Sequence, residues 1–278
     1  MKKTIWQGCL PTGLSMEQRF ELTARAGFAG IMLSVADEPA VEVAIPYDPS
    51  AAQIKELLGL AEKYVPISDL WLEDQWAFPL TANDDSIRRR TIDRTKRTLE
   101  ICADLGVESM LQVIGVVNRD HSYRTVWDRS QQIIHEELLP LAEKLNIQLN
   151  IETVWNKFML SPVEFGMYLK QIDHPLVGAV FDVCNVAAVS YPWDWVEEIG
   201  PFIRQIHISG VRVEEGYDMN SWVGLLESNF DMREKIMQPL RDVGFDGWLT
   251  LDRHFYGDNL RDEGIIALSR EMDVLLEA

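Results

Sequence analysis

Ile147-Gln-Leu-Asn-Ile-Glu152 reads as a buried β-strand that ends on a carboxylate. Successive side chains of a strand point to opposite faces, so Glu152 lies on the face away from Leu149 and Ile151. Three later stretches repeat the arrangement: Val177-Gly-Ala-Val-Phe-Asp182, Ile203-Arg-Gln-Ile-His207 and Trp248-Leu-Thr-Leu-Asp252. Phe181, Ile206, Leu249 and Leu251 face the other way from Asp182, His207 and Asp252. Four strands that all end on an acid or an imidazole suggest one common interior.

Outward from these strands, short β-branched runs alternate with longer amphipathic stretches along the whole chain. Strands are expected near 4–9, 29–34, 65–70, 107–113, 147–152, 177–182, 203–208 and 247–252. Helices are expected over 15–27, 50–64, 84–105, 123–145, 162–173, 192–200, 229–243 and 262–276. Ser15 suits an N-cap, Gly27 a helix end, and Ser161-Pro162 an N-cap followed by proline at the first helical position. Gly106 and Gly244 also fall just past helical patterns. Regular alternation implies parallel βαβ units, and eight of them close into an α/β (β/α)8 TIM barrel. No Gly/Ser-rich linker interrupts the pattern, so residues 1–278 are read as a single domain. A doubly wound sheet is the alternative, but it would not gather four strand ends into one ring so readily. In a barrel these C-terminal strand ends form the active-site face.

The totals bound the function. The chain has 278 residues, 47% hydrophobic, with a formal charge of −18. So acidic a surface repels nucleic acid phosphates and anionic membranes, and neither is expected as a partner. No apolar run is long enough to cross a bilayer, and Met1-Lys-Lys-Thr-Ile-Trp6 lacks a signal-peptide core. Cys9, Cys102 and Cys184 are odd in number and scattered, which points to a reducing compartment, the cytoplasm.

Glu152, Asp182, His207 and Asp252 carry the chemistry. Three carboxylates and an imidazole converging in a barrel mouth repel one another unless a cation holds them. An oxygen-rich set with one histidine suits Mn2+ or Mg2+, with Co2+ or Zn2+ also accommodated. Singly, each has a plainer reading: a strand-end Asp as a helix N-cap, a lone His as a satisfied polar residue.

At this point the chain resembles the xylose isomerase-like TIM barrels of the sugar phosphate isomerase/epimerase family. Ile151-Glu-Thr-Val-Trp-Asn-Lys-Phe-Met-Leu-Ser-Pro162 is similar to the E-N-V-W-N-K-F-x-L-S-P stretch of ketose 3-epimerases and hexulose-phosphate-type members. Phe181-Asp-Val-Cys-Asn185 resembles their F-D-x-G-N, and Ile206-His-Ile-Ser-Gly-Val-Arg212 their H-x-K-D-x-R. Leu225-Leu-Glu227 and Gly244-Phe-Asp-Gly-Trp248 resemble the segment leading into the last strand. The resemblance implies that Glu152, Asp182, His207 and the last-strand acid bind a divalent metal, with Glu152 and Asp252 also shuttling protons. It implies a homo-oligomer as well. Three positions depart from the pattern. Asp252 stands for Glu and is set back by about 1.5 Å, Ser209-Gly210 replaces Lys-Asp, and Met32 occupies a position often acidic.

The activity expected is epimerisation or isomerisation of a ketose or ketose phosphate. A metal chelated by the carbonyl and a neighbouring hydroxyl would stabilise an enediolate, with Glu152 removing a proton from one face and Asp252 returning one to the other. Should Asp252 fall short, water or His254 would complete the relay. Expulsion of a β-hydroxyl from the same enediolate would instead make a dehydratase of an inosose or keto-acid. Further substrate contacts are assigned to Trp6 and Trp155 as aromatic walls, and to Asn156 and Lys157 in the matching stretch. Asn185, Arg212 and His254 complete the set. Each has its plain alternative. Arg212 would equally pair with Glu214 or Glu215, Lys157 be solvated, and His254 sit on the rim. Trp193 and Trp195 are expected to pack a helix, and Arg88-Arg-Arg90 to lie on a solvated helix face. Residues 33–49 read as a long loop over the barrel mouth, a lid or an insertion.

Two rival classes stand beside this reading. An endonuclease IV-like site with three zinc ions needs more histidines than His121, His135, His174, His207 and His254 supply. A non-catalytic sugar-binding barrel is motivated by Asp252 and Ser209-Gly210.

Overall fold

Helix starts are fixed locally. Ser15, Ser50, Asp84, Ser122 and Ser161 each accept a backbone N–H from the first helical turn. Gln18 and Gln53 return the bond to complete capping boxes at the first two. Pro162 takes the first helical position, as its sequence predicts. Gly106, at φ 67°, closes the helix Asp85–Leu105 in a left-handed conformation that L side chains avoid.

The computed structural model describes residues 1–37, 43–213, 221–252 and 261–277. Its barrel strands are β1 (Lys2–Trp6), β2 (Gly30–Val35), β3 (Ile67–Leu72), β4 (Ser109–Gln112), β5 (Gln148–Glu152), β6 (Val177–Asp182), β7 (Ile203–Ile208) and β8 (Trp248–Leu251). All neighbours pair in parallel, and β8 returns to β1 to close the ring. A short antiparallel ribbon, Gly210–Val211 with Trp222–Val223, stands just beyond β7. Leu149, Ile151, Phe181, Ile206, Leu249 and Leu251, of opposite parity to the polar strand ends, are buried.

The structure alters several of the expected elements. The first strand ends at Trp6 rather than residue 9, and Gln7–Cys9 form a tight 3-10 turn. A Cβ on Gly8 would stand 2.2 Å from the Trp6 ring, so the turn folds against the indole face. The helix expected over 123–145 contains a π turn at Ile134–Leu138, and the one over 229–243 begins with another at Arg233–Met237. Each π turn ends two residues before a proline, Pro140 or Pro239. Proline has no N–H to give and crowds the carbonyl four residues back, so the local widening relieves both. Within 33–49, residues 38–42 lie outside the described residues, while Ile45 bridges to Val35 and Tyr47 is buried.

Candidate metal centre

Strand register brings the four predicted ligands together. Asp182 on β6 is the direct register partner of His207 on β7, and His207 is in turn paired with Thr250 on β8. Asp252 is the next inward position above Thr250, and its N–H still bonds Ile208 O. Glu152 closes β5 beside Val180. One ligand atom from each of Glu152, Asp182, His207 and Asp252 lies within 4.8 Å of all the others. Glu152, Asp182 and His207 are buried and Asp252 is nearly so.

His207 Nδ1 sits at the focus. It is 3.1 Å from Asp252 Oδ2, 3.4 Å from Glu152 Oε1 and 3.9 Å from Asp182 Oδ2, yet meets hydrogen-bond geometry with none of them. A buried ring nitrogen aimed between three carboxylate oxygens is what a divalent cation requires, so the donor set fits the expected metal. Asp182 also fulfils its plainer reading. Its Oδ1 caps the short helix Val183–Ala187 through the N–H groups of Cys184 (2.8 Å) and Asn185 (2.7 Å). Its Oδ2 remains for the ring, steadied by Asn185 Nδ2 at 3.0 Å. The same amide donates to Glu152 Oε1 at 3.4 Å.

Crowding of like charge shows in the proton affinities. Burial, then the charges of Glu152 and Asp252, pushes the Asp182 carboxyl well above the usual range. Burial pulls the His207 imidazolium down, but Asp252 and Glu152 outweigh it and hold the ring well above its ordinary value.

Beneath the ring lies a polar belt that the sequence reading missed. Thr4 and Ser68 share a hydrogen bond of 3.1 Å, and Ser68 donates to Asp69 Oδ1 at 3.3 Å. Gln205, one inward step below His207, reaches Thr250 Oγ1 at 3.1 Å. Burial pushes Asp69 up to about 7, against the pull of His207 and of Gln205 and Ser68. Asp69 sits mid-strand beside a register irregularity between β2 and β3, so a search confined to strand ends passes over it.

Above the ring opens a cavity of about 490 Å³, lined by Trp6, Trp71, Trp76, Trp155 and Trp222 together with aliphatic side chains and Glu152, Asn185, His207 and Asp252. Trp6 and Trp71 both donate to Ser34 Oγ, at 3.2 and 2.8 Å, and meet edge to face. Trp155, 43% exposed, meets Trp222 the same way at 5.9 Å. Trp222 belongs to the ribbon and had no sequence signal beyond the abundance of tryptophan. Met32 lines the same wall. Gly210 faces the Gly224 backbone so closely that a Cβ would stand 1.8 Å from its oxygen. The ribbon therefore excludes an aspartate at that position.

The other predicted contacts are distributed differently. Asn156 is buried and braces the loop, donating to Gly115 O at 2.8 Å. Lys157 is exposed and lines an adjoining apolar cavity of about 420 Å³, which shares Val154, Trp155 and Asn185 with the first. Arg212 is exposed and does not line the metal cavity. His254, with Glu214 and Glu215, lies outside the described residues. Trp195 is buried in the helix Pro192–Ile199, and Trp193 stacks on Tyr191, both packing residues as expected.

Residues 20–272 match the family model described as xylose isomerase-like TIM barrel, and the chain belongs to that family. The L-ribulose-5-phosphate 3-epimerase UlaE of Salmonella paratyphi A is 24% identical over 215 residues, 76% of this chain and 72% of that enzyme. For the Salmonella typhi enzyme of the same name, the match spans 65% of its length. Among solved structures, a D-tagatose 3-epimerase-like protein superposes with a TM-score of 0.78 at 20% identity, covering 100% of this chain and 99% of that one. An IolI protein solved with a bound zinc atom superposes with a TM-score of 0.75 at 16% identity, covering 100% and 99%. The fold is that of the sugar isomerases and epimerases.

Proposed function

We propose that this protein is a divalent-metal-dependent epimerase or isomerase of a ketose or ketose phosphate. The observation that carries the reading is the convergence of Glu152, Asp182, His207 and Asp252 beneath a tryptophan-lined cavity. A divalent cation, Mn2+ or Mg2+ by the hardness of the donor set, would polarise the ketone oxygen and acidify the neighbouring C–H. Glu152, oriented by Asn185, takes that proton from one face. Asp252 enters the ring from the far side of His207 and returns a proton to the other face. The aromatic wall packs on the C–H face of the sugar and excludes water. Among the described residues, no Lys or Arg lines this cavity.

Three free, buried cysteines support a cytoplasmic setting. Among the described residues no helix is long and apolar enough to cross a membrane. Val163 and Met167, exposed one turn apart on the helix Pro162–Ile172, offer an apolar strip that suits assembly with further copies.

The test is solvent exchange. Metal-stripped protein, reloaded with Mn2+, is incubated in deuterium oxide with a panel pairing each ketose with its phosphate. Exchange of a carbon-bound hydrogen that requires metal and disappears in Glu152→Gln supports the reading. Dehydrated product without epimer would make the protein a lyase. Silence across the panel, with metal bound, would leave a sugar-binding barrel.

A further inference from the structure

A ring that gives its Nδ1 lone pair to a cation must carry its hydrogen on Nε2. In His207, Nδ1 is the nitrogen among the carboxylates, and Nε2 points down into the barrel. There it meets the side-chain nitrogen of Gln205 at 3.3 Å. Two N–H groups cannot bond to each other, so this amide orientation suits only a ring protonated on Nδ1, the nitrogen the metal needs. One oxygen nearby is left over: Gln205 Oε1 is buried without a partner, and an orphaned buried acceptor is destabilising.

One rotation about the last torsion of Gln205 removes both conflicts. We propose that Gln205 is a positioning residue of the metal site, its side-chain carbonyl accepting the His207 Nε2–H. Gln205 Oε1 then also accepts the Thr250 hydroxyl hydrogen, across the 3.1 Å contact between the two side chains. The chain Thr250–Gln205–His207 holds the imidazole in the tautomer whose Nδ1 lone pair faces Glu152, Asp182 and Asp252. Gln205 does not line the substrate cavity. The inference rests on the metal reading of the ring and is independent of which sugar is turned over.

The experiment pairs nitrogen-15 NMR of the histidine rings with calorimetric titration of metal-stripped protein. Zn2+ serves for NMR because it is diamagnetic, and Mn2+ for affinity. The expected spectrum of the Zn2+-loaded wild type shows His207 metallated on Nδ1 with an Nε2–H slow to exchange. Gln205→Met, close in shape but without the amide, is expected to weaken Mn2+ binding roughly 10–100-fold. Gln205→Glu keeps an acceptor for the Nε2–H at the same place. It is expected to recover most of the loss, and it stands as the second test should Gln205→Met not fold. Metallation on Nε2, wild-type affinity in Gln205→Met, or no recovery in Gln205→Glu overturns the proposal. A wild type that binds no Mn2+ overturns the metal reading itself, and this inference with it.

Discussion

Asp182 and His207 are register partners on adjacent strands, yet Asp182 Oδ2 and His207 Nδ1 stop 3.9 Å apart. That separation is too long for a hydrogen bond and suits two groups sharing a cation. Because Asp182 Oδ1 already holds the helix start, the carboxylate divides its work between capping and ligation. Asp182→Asn keeps a cap acceptor but removes the ring charge. We expect Mn2+ affinity to fall at least 100-fold by calorimetry, while the melting temperature of the metal-free form stays level or rises, since a repelling charge is gone. A drop of many degrees without metal would show that Asp182 is chiefly a cap.

Metal-free protein should lose stability as pH rises. Asp69, buried and pushed up to about 7, binds its proton more tightly folded than unfolded. The stability this supplies is full below about pH 4 and lost as pH climbs through about 7. Asp182, also raised, acts in the same sense. His207, held above its ordinary value, contributes stability present below about 6.5 and lost through its higher folded value. Asp69 is faced by His207 and Glu152 in the barrel and by Cys102 outside it; His207, with Gln205 and Ser68, opposes its neutralisation but is outweighed by burial. With chelator present, the melting temperature should be lower at pH 8 than at pH 5. The gap should narrow in Asp69→Asn and on adding Mn2+. A melting temperature that rises steadily to pH 8 without metal would contradict all three signs.

The ring was legible in the sequence because it sits where periodicity and position coincide: each ligand ends a strand and has the parity opposite to its apolar neighbours. Asp252 illustrates how far that reasoning reaches. Its strand and its facing were readable, but whether so short a side chain closes the ring depends on a register that only the assembled sheet supplies. Asp69 and Gln205 were passed over for a different reason. They are interior to their strands, and nothing local separates a polar barrel filler from a positioning group. Trp222 depends on a ribbon formed between residues eleven and thirteen apart, which no period marks. Arg212, singled out by loop position alone, is exposed.

Gly8 tests the aromatic wall. Its missing Cβ leaves room for the Trp6 ring, which would otherwise stand 2.2 Å away. Trp6 is buried and tied to Ser34, so the indole cannot simply step aside. Gly8→Ala should therefore move the indole in the cavity, raising KM about tenfold or more, with Mn2+ affinity unchanged. An unaltered KM would show that Trp6 is packing and not a substrate wall.

Asp252→Glu is the sharpest contrast with the family pattern. The resemblance implies the longer acid here, and the sequence alone suggests that the extra methylene would restore lost reach. The structure argues otherwise. Asp252 Oδ2 is already 3.1 Å from His207 Nδ1 and within 4.8 Å of every other ligand atom, so the ring is closed with the shorter side chain. A Glu at this position must fold back or drive its carboxylate into His207 and Glu152, which adds repulsion and costs alignment. We expect Mn2+ affinity to fall about tenfold, and solvent exchange at the substrate carbon to slow rather than quicken. A clear gain in both would mean that the ring is under-reached as it stands, and that the last strand of this chain departs from the pattern the resemblance implies.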